Sequence, residues 1–300
     1  MVDFAQNTID GVMIGASYGL LALGFTLIFG VMRRLNLSYG PVIMFGAYLG
    51  TLLHVQLGFG AVAVAVACVL GAALAGIYVE RLCFAPMRPG AAIASMVSSF
   101  AIWMQLEQAV VLLLPRHTYP FPPLLGSGTS LELGPLVLRL DYAVMLVAAL
   151  ILMLAVHVLL YRSRFGLAIR SIIENPMAAG LVGVHVRAAT LGAFALASAA
   201  GGFAGFLVLA VDQQITPMFG MWATFKGLIA MMIGGLGSVG GAVLGGLVLG
   251  IVEVHSQWHF GPQARDLIVF VLLFVCLVLR PGGMLGQAPE RGLAMLRDRV

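Results

Sequence analysis

Apolar stretches of about 20 residues recur along this sequence, each long enough to cross the roughly 30 Å of bilayer hydrocarbon as a helix. A soluble fold has no interior large enough to hide them all. Of the 300 residues 61% are hydrophobic and 9% charged, against about 45–50% and about 25% in soluble domains. Mean hydropathy is +1.05. The bilayer is therefore the solvent, and the expected fold is an all-α, polytopic membrane helix bundle. The 38 glycines fit that reading, because small residues let packed transmembrane helices approach closely.

Nine apolar segments stand out, at 11–32, 38–57, 61–79, 91–114, 142–160, 188–210, 219–233, 240–254 and 266–279, with eight to ten as the working range. The whole chain, 1–300, reads as one transmembrane domain. The seventh and eighth segments are short for a crossing, which makes them candidates for half-helices or a re-entrant pair. With the N-terminus outside, alternation puts Arg33, Arg34, Arg81, Arg88, Arg162, Arg164, Arg170, Arg187, Arg280, Arg291, Arg297 and Arg299 on one side, and Arg116, Arg139 and Arg265 on the other. The positive-inside rule then assigns the twelve to the cytoplasm, leaving the N-terminus outside and the C-terminus inside.

A net charge of +4 and a pI near 9.2 do not point to nucleic acid, because the arginines are scattered among loops rather than gathered into a basic run. Cys68, Cys83 and Cys276 lie far apart with no CxxC spacing, and read as small packing residues. The N-terminus lacks a basic n-region and a small-residue cleavage pattern, so the first stretch reads as a retained span.

Two loops are long enough to carry structure. Residues 115–141 are rich in Pro, Gly and Ser and fall outside. Residues 162–187 fall inside and are the most informative stretch. After Arg162, Ser163 and Arg164, a helical run from Gly166 to Ile173 meets Asn175-Pro176. Asn at an N-cap with Pro at the first helical position starts a second short helix, which Gly183 can close. A mere connector between spans needs no capped helices.

Several motifs have a bland and a sharp reading. Gly15-Ala16-Ser17-Tyr18-Gly19 fits the G-x-S-x-G nucleophile elbow, but that motif needs a strand before it and here it lies within a span. Gly235-Leu236-Gly237-Ser238-Val239-Gly240 fits G-x-G-x-x-G, yet no βαβ unit can form among these segments. The glycines from Gly240 to Gly250 repeat at small-xxx-small spacing, which favours helix crossing, with a hinge as the second reading. His255 and His259 are one helical turn apart but have no third metal ligand in view, and with Trp258 they read as an interfacial girdle. No metal site and no catalytic constellation is expected.

Lys226 is the chain's one lysine and sits in an apolar segment; Gln105, Glu107 and Gln108 interrupt the fourth span. Such polar groups line a pathway, or else snorkel or hydrogen-bond between helices. Only Glu107 among the acids lies well inside a segment, which argues against a stand-alone secondary transporter. No G-x-x-x-x-G-K-[ST] sequence occurs, so any ATP must be hydrolysed by a partner.

Three blocks carry a resemblance. The first runs from Gly15 to Gly24 and on through Phe29-Gly30-Val31-Met32 to Asn36-Leu37-Ser38-Tyr39-Gly40. The second is Arg170-Ser171-Ile172-Ile173-Glu174-Asn175-Pro176-Met177-Ala178-Ala179, reaching Gly183. The third is Gly234 to Ala242, with Gly245, Gly246 and Glu253. In order and spacing they resemble the branched-chain amino acid (LIV-type) ABC transporter permeases. Ser38 and Tyr39 depart from that family's Asn-Leu-Ala-His-Gly, and Met177, Gly180 and His185 stand where it tends to carry an acid, a basic residue and an asparagine.

The resemblance implies a permease subunit of a bacterial inner-membrane ABC importer that moves a small, branched-chain amino acid by alternating access. Urea or a short amide is the alternative cargo. Its implied partners are a homologous second permease, two ABC ATPases that bind ATP and Mg, an extracytoplasmic solute-binding protein and membrane lipid, with no cofactor in this chain. The coupling surface is then expected at Gly166, Arg170, Glu174, Asn175, Pro176 and Gly183. Pathway or hinge candidates are Asn36, Ser38, Gln105, Lys226, Gly235, Gly237 and Gly240.

Overall fold

The computed structural model describes residues 2–87, 91–114, 116–124, 130–133, 136–280 and 282–286. Arg88, Arg291, Arg297 and Arg299 of the charge count lie outside the described residues, as does part of the 115–141 loop. The helices are α1 (Val2–Met32), α2 (Tyr39–Leu57), α3 (Ala61–Val79), α4 (Ala92–Leu113), α5 (Leu140–Arg162), α6 (Arg164–Glu174), α7 (Pro176–Leu181), α8 (Val186–Asp212), α9 (Phe219–Gly234), α10 (Val239–Phe260) and α11 (Arg265–Leu279). A π-helical turn, Glu80–Phe84, extends α3, and a 3₁₀ turn, Pro262–Ala264, precedes α11. Among the described residues eight helical stretches are long and apolar enough to span, and α9 is a shorter apolar helix. Each of the nine expected segments is a helix.

Two departures from expectation have one cause. The eighth segment is no half-helix: α10 runs on to Phe260 and is 22 residues long, so of that pair only α9, at 16 residues, is short. Helix α1 likewise starts nine residues before the expected boundary. In both, polar residues that break the apolar run are carried within the helix because they have partners. His255 Nε2 shares a 3.0 Å hydrogen bond with Thr8 Oγ1, and Ser256 Oγ donates to the Glu253 carbonyl.

Helix α1 is the central post, buried along most of its length. It packs antiparallel on α10 through facing glycines. A Cβ on Gly15 would lie 2.8 Å from the Gly246 carbonyl oxygen and the Leu247 Cα, and one on Gly11 would lie 2.7 Å from the Ile251 Cα. Gly246 and Gly250 are equally tight against Gly19, Gly15 and Gly11. In lipid there is no hydrophobic drive between apolar helices, so this close approach, with its dispersion contacts, supplies the association. Gly46 and Gly71 play the same part between α2 and α3, as does Gly202 of α8 against Cys68 and Ala72 of α3. The G-x-S-x-G stretch is thus a helix contact.

Irregular backbone does enter the bundle, but at the start of α2. The Tyr39 ring lies in contact with Gly24 of α1 and Gly201 of α8, and its hydroxyl donates to the Ala197 carbonyl at 3.0 Å. Gly24 is eight residues before the end of α1, which at about 1.5 Å per residue puts the Tyr39 ring roughly 12 Å up the bundle from that end. Buried polar backbone there needs partners. Asn36 Oδ1 accepts from the Ser38 amide (3.1 Å) and hydroxyl (2.7 Å), and the Leu37 amide donates to Ser99 Oγ at 3.2 Å.

At the end of the bundle where α8 stops, β1 (Tyr119–Pro120) pairs antiparallel with β4 (Gln214–Ile215); β2 (Ser130–Leu133) and β3 (Leu136–Arg139) form a separate antiparallel hairpin. Helices α6 and α7 lie at the opposite end, between α5 and α8.

The glycine contacts set a prediction. Gly246→Leu should lower the thermal stability of the purified protein by the equivalent of at least about 1–3 kcal/mol, the usual cost of overpacking. Gly240→Ala, where an added Cβ meets nothing within 4 Å, should leave it unchanged. Thermal unfolding followed by size-exclusion in detergent measures both.

Candidate functional site: a buried charge cluster beneath an open cavity

Glu253 is 1% exposed, an arrangement a bilayer protein tolerates only with partners. It has three. Lys226 Nζ of α9 donates to Oε2 at 2.8 Å, the Tyr18 hydroxyl of α1 donates to Oε1 at 2.9 Å, and the Arg265 guanidinium, at the head of α11, closes on Oε1. Lys226 also reaches Asp266 at 3.2 Å, and Arg265 Nη2 donates to the Tyr18 oxygen at 3.2 Å. Two acids and two bases from α9, α10 and α11 therefore meet on one phenol of α1. Glu253 faces α1 because it follows Gly250 by three residues on the same helix face.

Above this cluster a cavity of about 320 Å³ opens at the end of the bundle opposite α6 and α7. Its polar walls are Ser17, Tyr18, Tyr142, Asp212, Glu253, Gln257 and Arg265; its apolar walls include Ile14, Met145, Val208, Val211 and Trp222. Asp212 is the last residue of α8 and is exposed. The Arg265 side chain is 34% exposed, so part of its guanidinium remains open. A concave site with apolar walls and few polar groups is the usual form of a small-solute pocket.

The opposite end carries the capped helices. Ser163 caps α6, accepting from the Gly166 amide at 2.9 Å, and Asn175 Oδ1 caps α7, accepting from Met177 and Ala178 at 3.0 and 3.1 Å, with Pro176 in the first turn. A Cβ on Gly166 would strike the Leu159 and Leu160 carbonyls, which is why the sharp turn out of α5 takes glycine. Gly183 has φ +89°, a left-handed exit. Ile169, Ile172 and Ala179 are buried against the bundle. The outward face is apolar as well: Met177, Leu181 and Val182 are 80, 85 and 79% exposed.

The sequence candidates divide accordingly. Lys226 joins the buried cluster. Asn36 and Ser38 are buried and bonded to each other at the start of α2. Gly235 and Gly237, at φ +118° and +81°, turn the α9–α10 hairpin, and Gly240 opens α10 just after Ser238 caps it. This is what the G-x-G-x-x-G stretch does. Gln105 lies apart, exposed on α4 and accepting from the Tyr78 hydroxyl at 3.1 Å. Of the expected coupling residues, Glu174, Asn175 and Pro176 are exposed, whereas Arg170 is half-buried with its guanidinium 5.1 Å above the Tyr161 ring.

Sequence reading missed Arg265, Asp212 and the exposed trio of α7, and it undercounted the interior acids. Besides Glu107 of α4, Glu253 of α10 and Glu80 of the π-turn lie within helical stretches, and both are buried. Glu253 stands one residue inside the end of the eighth segment, where an acid reads as interfacial.

The bundle is that of a multi-pass membrane permease. The solved structure of PsaBC from Streptococcus pneumoniae in complex with Fab is similar in fold, with a TM-score of 0.50 at 12% identity, covering 96% of this chain and 94% of that one. The family described as "Branched-chain amino acid transport system / permease component" matches residues 7–278, and the chain belongs to it. It is 29% identical to the high-affinity branched-chain amino acid transport system permease protein BraD of Pseudomonas aeruginosa, over 96% of this chain and 97% of the relative. It is also 29% identical to LivH of Escherichia coli over 96% of each, and 22% identical to the fructose import permease protein FrcC of Rhizobium meliloti over 88% of this chain and 74% of that one.

Breaking one partner of a buried pair leaves the other uncompensated. Lys226→Met alone and Glu253→Gln alone should each destabilise the protein by about 3–5 kcal/mol. The double replacement should cost less than the sum, and a double-mutant cycle on thermal unfolding measures the difference.

Proposed function

We propose that this chain is the membrane-spanning subunit of an ABC importer for a branched-chain amino acid. The observation that carries the reading is the family match along nearly the whole chain, joined to a pair of capped helices projecting from one end. In this reading the α6–α7 end faces the cytoplasm of a bacterial inner membrane, the N-terminus lies outside, and the cavity beside Arg265 opens outward. A second, homologous permease completes the pathway, a solute-binding protein delivers cargo, and two ABC ATPases supply ATP hydrolysis.

Caps make α6 and α7 rigid, and α6 is seated on the bundle through Ile169 and Ile172. Rigid elements pass a displacement on rather than absorbing it. Met177, Leu181 and Val182 give an ATPase an apolar grip, while Asn175 and Pro176 fix the direction in which they point. The bundle then rocks between outward and inward openings with no covalent step on the cargo.

The test is reconstitution with the binding protein, partner permease and ATPases in proteoliposomes, comparing ATP-dependent uptake of leucine, urea and acetamide. Leucine uptake that needs ATP is the expected result; uptake of urea or acetamide instead, or transport without ATPases, overturns the assignment. Pro176→Gly and Leu181→Ser should cut leucine uptake at least about tenfold while the subunits still co-purify. Wild-type uptake in both variants would remove α7 from the coupling surface.

A further inference from the structure

The cavity at this end carries groups of opposite charge, Asp212 and Arg265, in a lining that also holds apolar side chains. Glu253 beneath it is already neutralised by Lys226 and Arg265, so it offers little to a solute. Two other charged groups line the cavity. Arg265 engages Glu253 and Tyr18 through Nε and Nη2, and an arginine has five N–H donors in all. Its partly exposed guanidinium presents the rest to the cavity. Asp212 is exposed and, among the described residues, no side chain hydrogen-bonds to it or closes an ion pair on it, while the Arg265 and Arg139 charges act on it from farther off. It stands at the C-terminus of α8, where unsatisfied carbonyls add negative potential to its own charge.

Between them α8 contributes Val208 and Val211, and α5 contributes Met145. At about 320 Å³ the cavity is near the lower limit of ligand pockets, about 300–1,000 Å³, which suits a compact solute. Half-buried Arg265 discriminates against analogues that lack a carboxylate, since left unpaired it keeps its desolvation cost, and Asp212 discriminates through the charge it holds at the cavity wall.

We propose that this cavity is the permease's own binding site for an aliphatic α-amino acid zwitterion. Arg265 takes the carboxylate, Asp212 takes the ammonium, and Met145, Val208 and Val211 receive the side chain. The inference rests on the amino-acid reading above and deepens it: the permease itself selects zwitterions, instead of passing whatever the binding protein delivers. The Glu253–Lys226 pair beneath holds Arg265 in place and is a positioning element.

Trp222 lines the same cavity and serves as its reporter. The assembled importer in nanodiscs, with Trp103→Phe and Trp258→Phe leaving Trp222 as this chain's one tryptophan, and with tryptophan-free partner subunits, is titrated with leucine in the absence of binding protein. A saturable change in emission is expected. Leucinamide, which lacks the carboxylate, and 4-methylpentanoate, which lacks the ammonium, should each need at least about tenfold higher concentration. Asp212→Asn should erase the discrimination against 4-methylpentanoate but keep that against leucinamide, and Arg265→Gln should do the reverse. Val208→Trp is a poor variant in this background, so Val208→Phe tests the wall: leucine should weaken more than alanine.

The same preparation, given binding protein and ATP, is assayed for leucine uptake. Intact uptake with no saturable Trp222 response, or with a response that ignores the missing carboxylate and ammonium, overturns the site alone. Loss of leucine uptake in the wild-type importer overturns the amino-acid reading and the site with it.

Discussion

Everything else in this bundle depends on how closely α1 and α10 approach. Lipid tails are as apolar as leucine, so two helices gain little by meeting unless their backbones come near enough for dense van der Waals contact. Gly11, Gly15 and Gly19 on one helix and Gly246 and Gly250 on the other permit that approach. Only with the two backbones this close does Tyr18 reach Glu253 and Arg265, and only then does α9 fold back beside both through the Gly235–Gly237 turn. The glycine seam is therefore upstream of the charge cluster and of the cavity above it.

The charge cluster is best understood as a constraint of register rather than a source of net stability. Desolvating Glu253 and Lys226 costs several kcal/mol per ion in effective terms, and their mutual attraction, with Arg265 beside them, largely offsets it. What the cluster does fix is alignment: a shift of α9 against α10 by one helical turn would leave Lys226 or Glu253 uncompensated in an apolar interior. Bulk apolar packing, which tolerates sliding, sets no such condition.

Much of this was legible in advance, and the losses have physical reasons. The nine apolar segments and the capped pair at 162–187 were readable because hydropathy and cap chemistry are local signals: Asn175-Pro176 starts a helix wherever it occurs. The glycine repeats marked contacts but not partners, since spacing gives a face and no address. Helix ends were misplaced where polar residues found partners far away in sequence, as His255 did with Thr8. Gln105 was singled out for its polarity alone, yet it lies on the outer face of α4. Asp212 and Arg265 escaped notice because they sit at segment edges, where charged residues are expected for reasons unrelated to a site.

Helix α9 is tied to α11 and the stretch after it at two places. Midway along α9, Lys226 bonds Asp266 of the first turn of α11; at the end of α9, the amides of Met284 and Leu285, just past α11, donate to the carbonyls of Ile233 and Gly234 at 2.8 and 2.9 Å. With α10 packed on both, these helices behave as a braced frame: fixed at two corners, they cannot slide along one another, and any push delivered to the bundle turns them as one plate.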